Sequence, residues 1–434
     1  MSVFTVHSIN STFAAQRIFE AMTIDSWDER GWTATQALKP LLSFLIALSW
    51  ALYILAYPPK YRKISIAVLS VPVSHAFYYH TLLAPSNSVC DTFGRFLYIW
   101  LARMSHEMVI LEWSPPIIKE NDGWRSRLKS AYKVLFARNP EQNVLFTTPR
   151  HNYSRRKFLA YHAIKAIFYY FLQNAYWVLA RYCIEAYRED NVNKGQFFRR
   201  LPDSLDPAEL WERFDTVMVW CVCNLWLYDA FHSLFALFFV SLRFDAPGEW
   251  SMSLFGPLSE AWSVRRYWGK HWHNYIYHSF SGHTKVVTRG WLGMRRGHLS
   301  TRLIENTMVF AASGVMHTAV RWVQSGGDGG DYWVITFWYM GQMVPIIIED
   351  VVQKYWRQKK KELGIKDSKW LLRAERVLGY LWVFGFNAWS ITKYQYTREV
   401  WGQPARDRRY AALLEEWRQQ KARKEMEAGM KIEL

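Results

Sequence analysis

Long apolar runs separated by basic connectors constrain the fold of this chain more than any other feature. A transmembrane helix needs about 20 predominantly apolar residues, and eight runs approach or exceed that length. They lie near residues 41–57, 64–83, 93–111, 158–182, 214–242, 303–324, 332–352 and 376–392. Because backbone polar groups in lipid must be satisfied internally, such runs are expected to be helices. The sequence therefore predicts an all-α, polytopic integral membrane protein with about eight transmembrane helices.

Four of the runs contain irregularities. Four ionisable side chains interrupt the third run and make it the weakest candidate: Arg95, Arg103, His106 and Glu107. The fifth run is long enough for a tilted helix or for a helix with a re-entrant piece. Gly314 and Pro345 are expected to break helices in later runs, and the first half of the chain has no counterpart to them.

The composition of the chain indicates a membrane environment and an anionic partner. Aromatic residues make up 17% of the chain and include 24 Trp, and such rings favour membrane–water interfaces. The formal net charge of +17 resides in the connectors, where it suits anionic lipid headgroups or a phosphate-bearing cosubstrate. Nucleic acid is the other partner that a basic chain suggests. The interleaved apolar runs argue against it, so no nucleic-acid partner is expected.

The basic connectors also predict an orientation. The short cytosolic loops of membrane proteins are enriched in Lys and Arg, and the basic connectors here are 58–63, 112–157, 243–302 and 353–373. The alternate connectors 84–92, 183–213 and 325–331 fit the lumen. This alternation places both termini in the lumen. It divides the chain into a lumenal N-terminal segment, a polytopic core and a charged C-terminal tail, at 1–40, 41–392 and 393–434.

Two short motifs agree with lumenal termini. Asn10-Ser11-Thr12 is a glycosylation sequon, and the chain ends in Lys431-Ile432-Glu433-Leu434, which is similar to an endoplasmic-reticulum retention tail. Residues 1–38 lack the continuous apolar stretch of a cleavable signal peptide, so the first apolar run is expected to direct insertion. The predicted location is the endoplasmic-reticulum membrane.

A histidine within the sixth run is the first candidate for catalysis. His317 ends the motif Ser313-Gly314-Val315-Met316-His317, and an ionisable side chain in an apolar span is costly unless it faces an interior or a cavity. Helical spacing places Asn306, Ser313 and Arg321 on the His317 side, which forms a polar stripe. His317 could act as a general base on a hydroxyl group. The alternative is a structural histidine that is hydrogen-bonded between helices.

The basic, aromatic segment 259–290 is the second candidate. Its centre reads Tyr267-Trp268-Gly269-Lys270-His271-Trp272-His273, and it combines interfacial rings with cations that can hold phosphate. The residues expected to bind a phosphorylated carrier such as coenzyme A are Arg266, Trp268, Lys270, Trp272 and Asn274. An interfacial helix that only holds anionic lipid is the alternative.

Several other chemistries lack their sequence patterns. The spacing of His271, His273, His278 and His283 is poor for a metal site, and no metal is expected. The sequence contains no GxSxG elbow, P-loop, dinucleotide-binding fingerprint or HxxxD acyltransferase motif. The four cysteines form no plausible disulfide framework; they are Cys90, Cys183, Cys221 and Cys223.

Taken together, the two motifs resemble the signature blocks of the wax synthase-like membrane-bound O-acyltransferases. In that family the blocks read roughly F-W-G-R-x-W-H and S-G-x-x-H, and the resemblance is tightest over residues 255–350. It implies that His317 is the catalytic histidine. It also implies a second active-site position at His273, where related sterol and diacylglycerol acyltransferases have Asn. Lys270 stands where Arg is usual, which keeps the charge but loses bidentate phosphate binding.

The resemblance is strongest to the short fungal members that acylate secondary metabolites. It implies an internal catalytic tunnel in which an acyl group, most commonly acetyl, passes from acyl-CoA to a hydroxyl of a terpenoid or meroterpenoid. Acyl-CoA would be a cosubstrate, with no bound cofactor. One alternative is a wax ester or neutral-lipid synthase that uses long-chain acyl-CoA. A non-catalytic transporter or sensor is the other.

Overall fold

The chain folds into packed helices. The computed structural model describes residues 33–84, 87–114, 123–135, 153–184, 196–250, 254–272, 275–325 and 333–395. Within these ranges helix predominates and no residue lies in a β-strand. The predicted all-α class is confirmed.

Over its described residues, the N-terminal part contains four α-helices. They are α1 (Leu38–Ala56), α2 (Arg62–Tyr78), α3 (Asn87–Ser105) and α4 (Trp124–Leu135). Helix α1 packs against α2 and α4, and α2 packs against α3. Helix α3 continues into a π-helical turn, His106–Ile110.

A core of small and aliphatic side chains holds these four helices together. We call it the N-terminal cluster; it consists of Ala47, Ala51, Ile54, Leu55, Ala56, Leu69, Val73, Ala76, Leu97, Trp100, Met104, Met108, Ala131, Val134 and Leu135. Its alanines on α1 and α2 are fully buried. Small residues allow helix backbones to approach closely, and this approach is the main source of packing energy between helices in lipid.

The second part of the molecule contains eight α-helices longer than one turn among the described residues. They are α5 (Arg155–Ile184), α6 (Pro207–Val217), α7 (Asn224–Ser241), α8 (Tyr275–Lys285), α9 (Leu299–Gln324), α10 (Trp333–Gly341), α11 (Met343–Glu362) and α12 (residues 369–395). Helix α5 packs on α7, and α9 packs on α10, α8 and α3. Helix α9 therefore lies at the contact between the two parts of the molecule.

π-Helical turns interrupt this second part at three places. Met218–Cys223 joins α6 to α7, Tyr267–His271 lies before α8, and Val286–Trp291 follows α8. Each π-turn inserts an extra residue into the helical repeat, and such turns are frequent at functional sites. The turn at Tyr267–His271 contains most of the basic aromatic motif.

The predicted apolar runs all overlap helices. Over the described residues, three helical stretches are long and apolar enough to cross a membrane: Leu38–Ala56, Pro207–Ser241 and Trp333–Glu362. The fifth run is part of one continuous helical stretch with an internal π-turn. In the third run, Arg103 and Glu107 are buried and form an ion pair of 3.0 Å, so these charges neutralise each other within the helix.

The expectation that Gly314 breaks a helix is wrong. Gly314 lies inside the continuous helix α9. A Cβ atom added to Gly314 would lie 2.7 Å from the Thr336 Cα atom of α10. Glycine is therefore required here by the close approach of two helices. The other break does occur near its predicted position, because α10 ends at Gly341 and Pro345 lies in the first turn of α11, where its missing N–H costs nothing.

Candidate active site

His317 lies on α9 against an aromatic ring from the next helix. Its imidazole stacks on the phenol ring of Tyr339, with ring centroids 4.7 Å apart and planes within 9° of parallel. Tyr339 is 4% exposed, whereas His317 is half-buried. The ring is therefore fixed on one face and remains partly accessible, as a proton acceptor for a substrate must be.

The close contact of α9 with α10 explains this placement. Gly314 allows the backbone of α10 to approach, and the hydroxyl groups of Thr318 and Thr336 form a hydrogen bond of 2.8 Å across the two helices. Tyr339 follows Thr336 by about one helical turn, so the same contact brings its ring over His317. The S-G-x-x-H pattern thus combines the glycine that allows the two helices to approach with the histidine that this approach places against Tyr339.

The predicted polar stripe on α9 is partly shielded. Ser313 is buried, and Asn306 and Arg321 are half-buried. This shielding reduces the cost of polar groups in an apolar span. Its part in catalysis stays a prediction.

The basic aromatic motif is anchored by a carboxylate that the sequence did not identify. Glu349 of α11 is 7% exposed and accepts hydrogen bonds from the backbone amides of Val264 (2.5 Å) and Arg265 (3.1 Å). It also accepts one from the Trp382 indole of α12, at 2.8 Å. Amides at the start of a helical turn lack intrahelical partners, so a carboxylate stabilises them. The partners are far apart in sequence, and no local pattern indicates them.

Trp268 and Trp272 belong to a packed group of rings that we call the aromatic cluster. It consists of Trp220, Tyr267, Trp268, Trp272, Trp338, Tyr339 and Tyr394. Trp272 stacks on Trp220 with centroids 5.0 Å apart and planes within 9° of parallel. Trp268 meets Tyr339 at 6.3 Å between centroids and donates from its indole to Gln342 Oε1 at 3.3 Å. Through Tyr339, the cluster connects the first motif to His317.

The two predicted phosphate-binding cations share one acidic partner. Arg266 forms an ion pair with Glu260, and Lys270 Nζ lies 3.5 Å from the same carboxylate. The Arg266 guanidinium also lies over the Trp262 ring, 4.6 Å from its centroid. The two cations and Glu260 together carry one net positive charge. Glu260 therefore orients the two cations and neutralises only part of their charge, so that one positive charge remains for a phosphate.

A half-buried charged network connects α3 to α7 and to the end of α9. Arg95 forms an ion pair with Asp91 and donates to the Tyr228 hydroxyl of α7 at 2.5 Å. Gln324, at the end of α9, donates to Asp91 at 3.2 Å. Arg95 appeared in the sequence only as an interruption of the third run. The cost of placing a lone cation in an apolar span was the signal that could have identified it.

His271 of the first motif and His283 of α8 have structural hydrogen-bond partners. His271 is buried and its Nδ1 atom donates to the Gly256 carbonyl at 2.9 Å; burial lowers its pKa, against the opposing effect of the Gly256 and Pro257 carbonyls. No group of three or more His, Cys, Asp or Glu side chains that could hold a metal ion occurs in the described part of the chain. His273, Asn274 and Asn10 lie outside the described residues.

The segment that holds both motifs matches a known protein family. A model of the membrane bound O-acyl transferase family matches residues 250–340, which hold both motifs. Acetyltransferase nanB of Aspergillus nanangensis is 30% identical over 187 residues, covering 43% of this chain and 43% of that protein. Acetyltransferase ataH of Aspergillus terreus is 26% identical over 215 residues, covering 48% and 66%. Acetyltransferase TRI7 of Fusarium sporotrichioides is 26% identical over 178 residues, covering 41% and 40%.

These matches confirm the resemblance to the membrane-bound O-acyltransferases and support an acyltransferase enzyme. The matched part of the chain spans less than two thirds of each of these three relatives. No solved structure matches the chain.

Proposed function

We propose that this protein is a membrane-bound O-acyltransferase that transfers an acetyl group from acetyl-CoA to a hydroxyl of a hydrophobic metabolite, such as a terpenoid or meroterpenoid. The observation that carries the proposal is the half-buried imidazole of His317, stacked on Tyr339 inside the segment that matches the family. The relatives named acetyltransferase support acetyl as the acyl group.

His317 acts as the general base in this proposal. Its imidazole accepts the proton of the acceptor hydroxyl, and the oxygen attacks the thioester carbonyl to form a tetrahedral intermediate. Collapse of the intermediate breaks the C–S bond and releases CoA thiolate, which takes the proton back from the imidazolium. General base catalysis near neutral pH suits an imidazole. The stacking on Tyr339 fixes the ring orientation, and no covalent acyl-enzyme is needed.

In this proposal the basic aromatic motif binds the CoA part of the acyl donor. Arg266 and Lys270 are oriented by Glu260 and face a phosphate with N–H donors, while Trp268 and Trp272 hold the segment on the aromatic cluster. His273 and Asn274 follow directly in the sequence. We assign them to the support of the reacting thioester and its oxyanion.

The membrane arrangement completes the proposal. The eight apolar runs cross the endoplasmic-reticulum membrane, acyl-CoA enters from the cytosolic side through the basic connectors, and the reacting groups meet in an internal tunnel at His317. The apolar helices and the basic connectors support this arrangement. Asn10, on the lumenal side, would be glycosylated.

Membranes of a heterologous host that expresses the protein test this function. Labelled acetyl-CoA and palmitoyl-CoA are each supplied with a panel of hydroxylated terpenoids and with a fatty alcohol, and esters and free CoA thiol are measured. We expect acetylated terpenoid with stoichiometric release of CoA, and no ester in membranes of the host without the protein. Formation of palmitoyl esters instead would identify a wax or neutral-lipid synthase. The absence of ester and of CoA release with every pair would contradict acyl transfer.

A further inference from the structure

The connection between α8 and α9 exposes apolar side chains. We call residues 290–299 of this connection the exposed tip. Trp291 is 77% exposed, the highest value among the large apolar side chains that the structure describes, and Leu292 and Leu299 are 62% and 59% exposed. Exposed apolar groups that lie close together mark a contact with a membrane or with another protein.

Hydrogen bonds within the connection define the backbone of the exposed tip. The Met294 N–H donates to the Thr288 carbonyl at 2.9 Å, and the Thr301 hydroxyl donates to the Arg295 carbonyl at 2.8 Å. Gly293 has a φ of 61°, a conformation that glycine adopts without strain. The apolar side chains are therefore presented from a fixed turn, and their exposure belongs to the fold of the connection.

The exposed tip and the residues beside it are strongly basic. Residues 285–304 contain no carboxylate and five cations, which are Lys285, Arg289, Arg295, Arg296 and Arg302. Arg289 is paired with the buried Glu305 at 2.6 Å. Arg295 and Arg296 are exposed, and neither forms an ion pair with any residue that the structure describes. Two adjacent guanidinium groups are thus available to an anion beside the apolar side chains.

The length of α9 places the exposed tip at the depth of lipid headgroups. Helix α9 has 26 residues and begins at Leu299. At 1.5 Å per residue its length is roughly 39 Å, whereas the hydrocarbon core is about 30 Å thick and the bilayer with its headgroup regions about 40–45 Å. In the proposed membrane arrangement α9 crosses the bilayer, so its first residue lies outside the hydrocarbon. Trp and Arg are favoured at this depth.

The combination of charge and apolar exposure selects lipid over the other anions. The phosphates of acetyl-CoA can pair with Arg295 and Arg296, but its polar nucleotide would leave Trp291 and Leu292 in water. A second copy of this chain has the same positive charge on this surface, so a symmetric contact between two tips is repulsive. An anionic phospholipid supplies a phosphate for the arginines and hydrocarbon for the apolar side chains.

We propose that the exposed tip binds anionic phospholipid of the cytosolic leaflet, with Trp291 and Leu292 among the upper acyl chains and Arg295 and Arg296 on headgroup phosphates. The inference rests on the membrane arrangement in the proposed function and does not depend on the reaction. It places a lipid contact on the connection between the helix that follows the basic aromatic motif and the helix that carries His317.

Photolabelling by lipids in reconstituted vesicles tests this contact. The vesicles contain phosphatidylcholine and phosphatidylserine in equal amounts, with a trace of one or the other bearing a diazirine on its acyl chain. Labelled peptides are identified, and the ratio of labelling by the two lipids is compared between the tip and α7, where Phe235 and Phe238 are 56% and 55% exposed. We expect the serine-to-choline ratio at the tip to exceed that at α7 about tenfold, or ~1.4 kcal/mol, as two basic residues at an anionic surface supply.

Charge reversal identifies the groups that select the lipid. Arg295→Glu combined with Arg296→Glu should lower the ratio at the tip to the value at α7. The matched control is Arg357→Glu combined with Lys361→Glu, which reverses the charge of two exposed residues of α11. It should retain the wild-type ratio at the tip. Labelling of α7 in the same sample shows that each variant has inserted.

Three results would overturn the proposal. They are equal ratios at the tip and at α7 in wild type, a preference that survives reversal of both arginines, and loss of tip labelling when excess acetyl-CoA is added. The last result would assign the arginines to the acyl donor. Because the labelling is read without turnover, its failure leaves acetyl transfer standing, and a protein without acetyl transfer can still show the lipid contact.

Discussion

The N-terminal cluster and the aromatic cluster hold their helices together with different kinds of side chain. The first is built from Ala, Leu and other side chains without polar atoms, with Trp100 as its one indole. The second is built from rings whose polar atoms have specific acceptors, such as Trp220 with the Tyr394 hydroxyl (2.8 Å) and Trp338 with the Ser390 carbonyl (2.8 Å). Small residues permit close helix contact, whereas ring stacking and indole hydrogen bonds fix orientation as well.

This difference separates stability from catalysis. His317 contacts the aromatic cluster through Tyr339, so in the proposed mechanism displacement of a ring in that cluster would change the geometry of the reacting groups. Helix α3 contacts α8 and α9 through an apolar group that includes Ile99, Phe280 and Met316, and contacts α9 also through the hydrogen bond from Gln324 to Asp91; none of these residues belongs to the N-terminal cluster. Loosening of the N-terminal cluster should therefore cost stability and leave turnover nearly intact. Two matched pairs of substitutions and one titration test this separation.

The largest difference is expected between two glycines. A Cβ at Gly314 would meet the backbone of α10 at 2.7 Å, and a Cβ at Gly94 of α3 would meet the His80 side chain at 2.8 Å. Each Gly→Ala substitution should cost about 1–3 kcal/mol of stability by overpacking. Gly314→Ala should also reduce turnover about 100-fold, because a displacement of about 1 Å can have that effect. Gly94→Ala should retain most of its turnover.

Gly341→Ala is the open control for this pair, since nothing lies within 4 Å of its added Cβ. Steady-state turnover and thermal unfolding of the purified variants in detergent measure both effects. Equal loss of turnover in Gly94→Ala and Gly314→Ala would erase the distinction between the two clusters.

A smaller difference is expected between two tryptophans. Trp100 donates to the Leu135 carbonyl at 3.0 Å and Trp220 to Tyr394 at 2.8 Å, and both are buried. Replacement by Phe removes one hydrogen bond and some volume in each, so both variants should lose about 1–3 kcal/mol of stability. Only Trp220→Phe should lose turnover as well, about tenfold, or ~1.4 kcal/mol of barrier. If Trp100→Phe lost turnover tenfold and Trp220→Phe kept wild-type turnover, the roles assigned to the two clusters would be reversed.

The smallest expected effect is a pH dependence of stability at the contact between α3 of the N-terminal part and α8 of the second part. His283 of α8 accepts or donates a hydrogen bond of 3.1 Å with Ser105 of α3, and its ring lies 6.2 Å from that of His106. Burial lowers the pKa of His283 from its ordinary value of 6.5, against the opposing effect of the Ser279 carbonyl. The unfolded chain therefore takes up this proton at a higher pH than the folded chain, and stability falls as the pH drops below about 6.5.

Thermal unfolding as a function of pH measures this effect. His283→Asn should make the unfolding temperature less dependent on pH in the acid range. Ser105→Ala removes the hydrogen bond but keeps the imidazole, so it should retain the dependence. An unchanged acid dependence in His283→Asn would show that other groups govern it.

Much of the helical framework could be predicted from the sequence because membrane-length apolar runs carry strong local information. Each predicted run overlaps a helix. The short helices Trp124–Leu135 and Tyr275–Lys285 lie in basic connectors and were not predicted, because their stability depends on packing against α1 and α9. The π-turns were also not predicted, because one inserted residue does not change the average hydropathy of a run.

The candidate site was only partly predictable for a similar reason. The two motifs gave His317 and the aromatic residues, which are local in sequence. Tyr339 and Glu349 matter through contacts with distant segments, and no spacing rule relates them to the motifs. Gly314 was misread because glycine lowers helix propensity, whereas here the backbone of α10 decides its role.

Acyl transfer by His317→Ala tests the central claim most directly. Single-turnover transfer from labelled acetyl-CoA is compared in wild type and variant at equal amounts of folded protein, verified by helical content and unfolding temperature. The account predicts a loss of about 10²–10⁴-fold, the usual contribution of a general base, at unchanged stability. Transfer at the wild-type rate from a folded His317→Ala protein would contradict it.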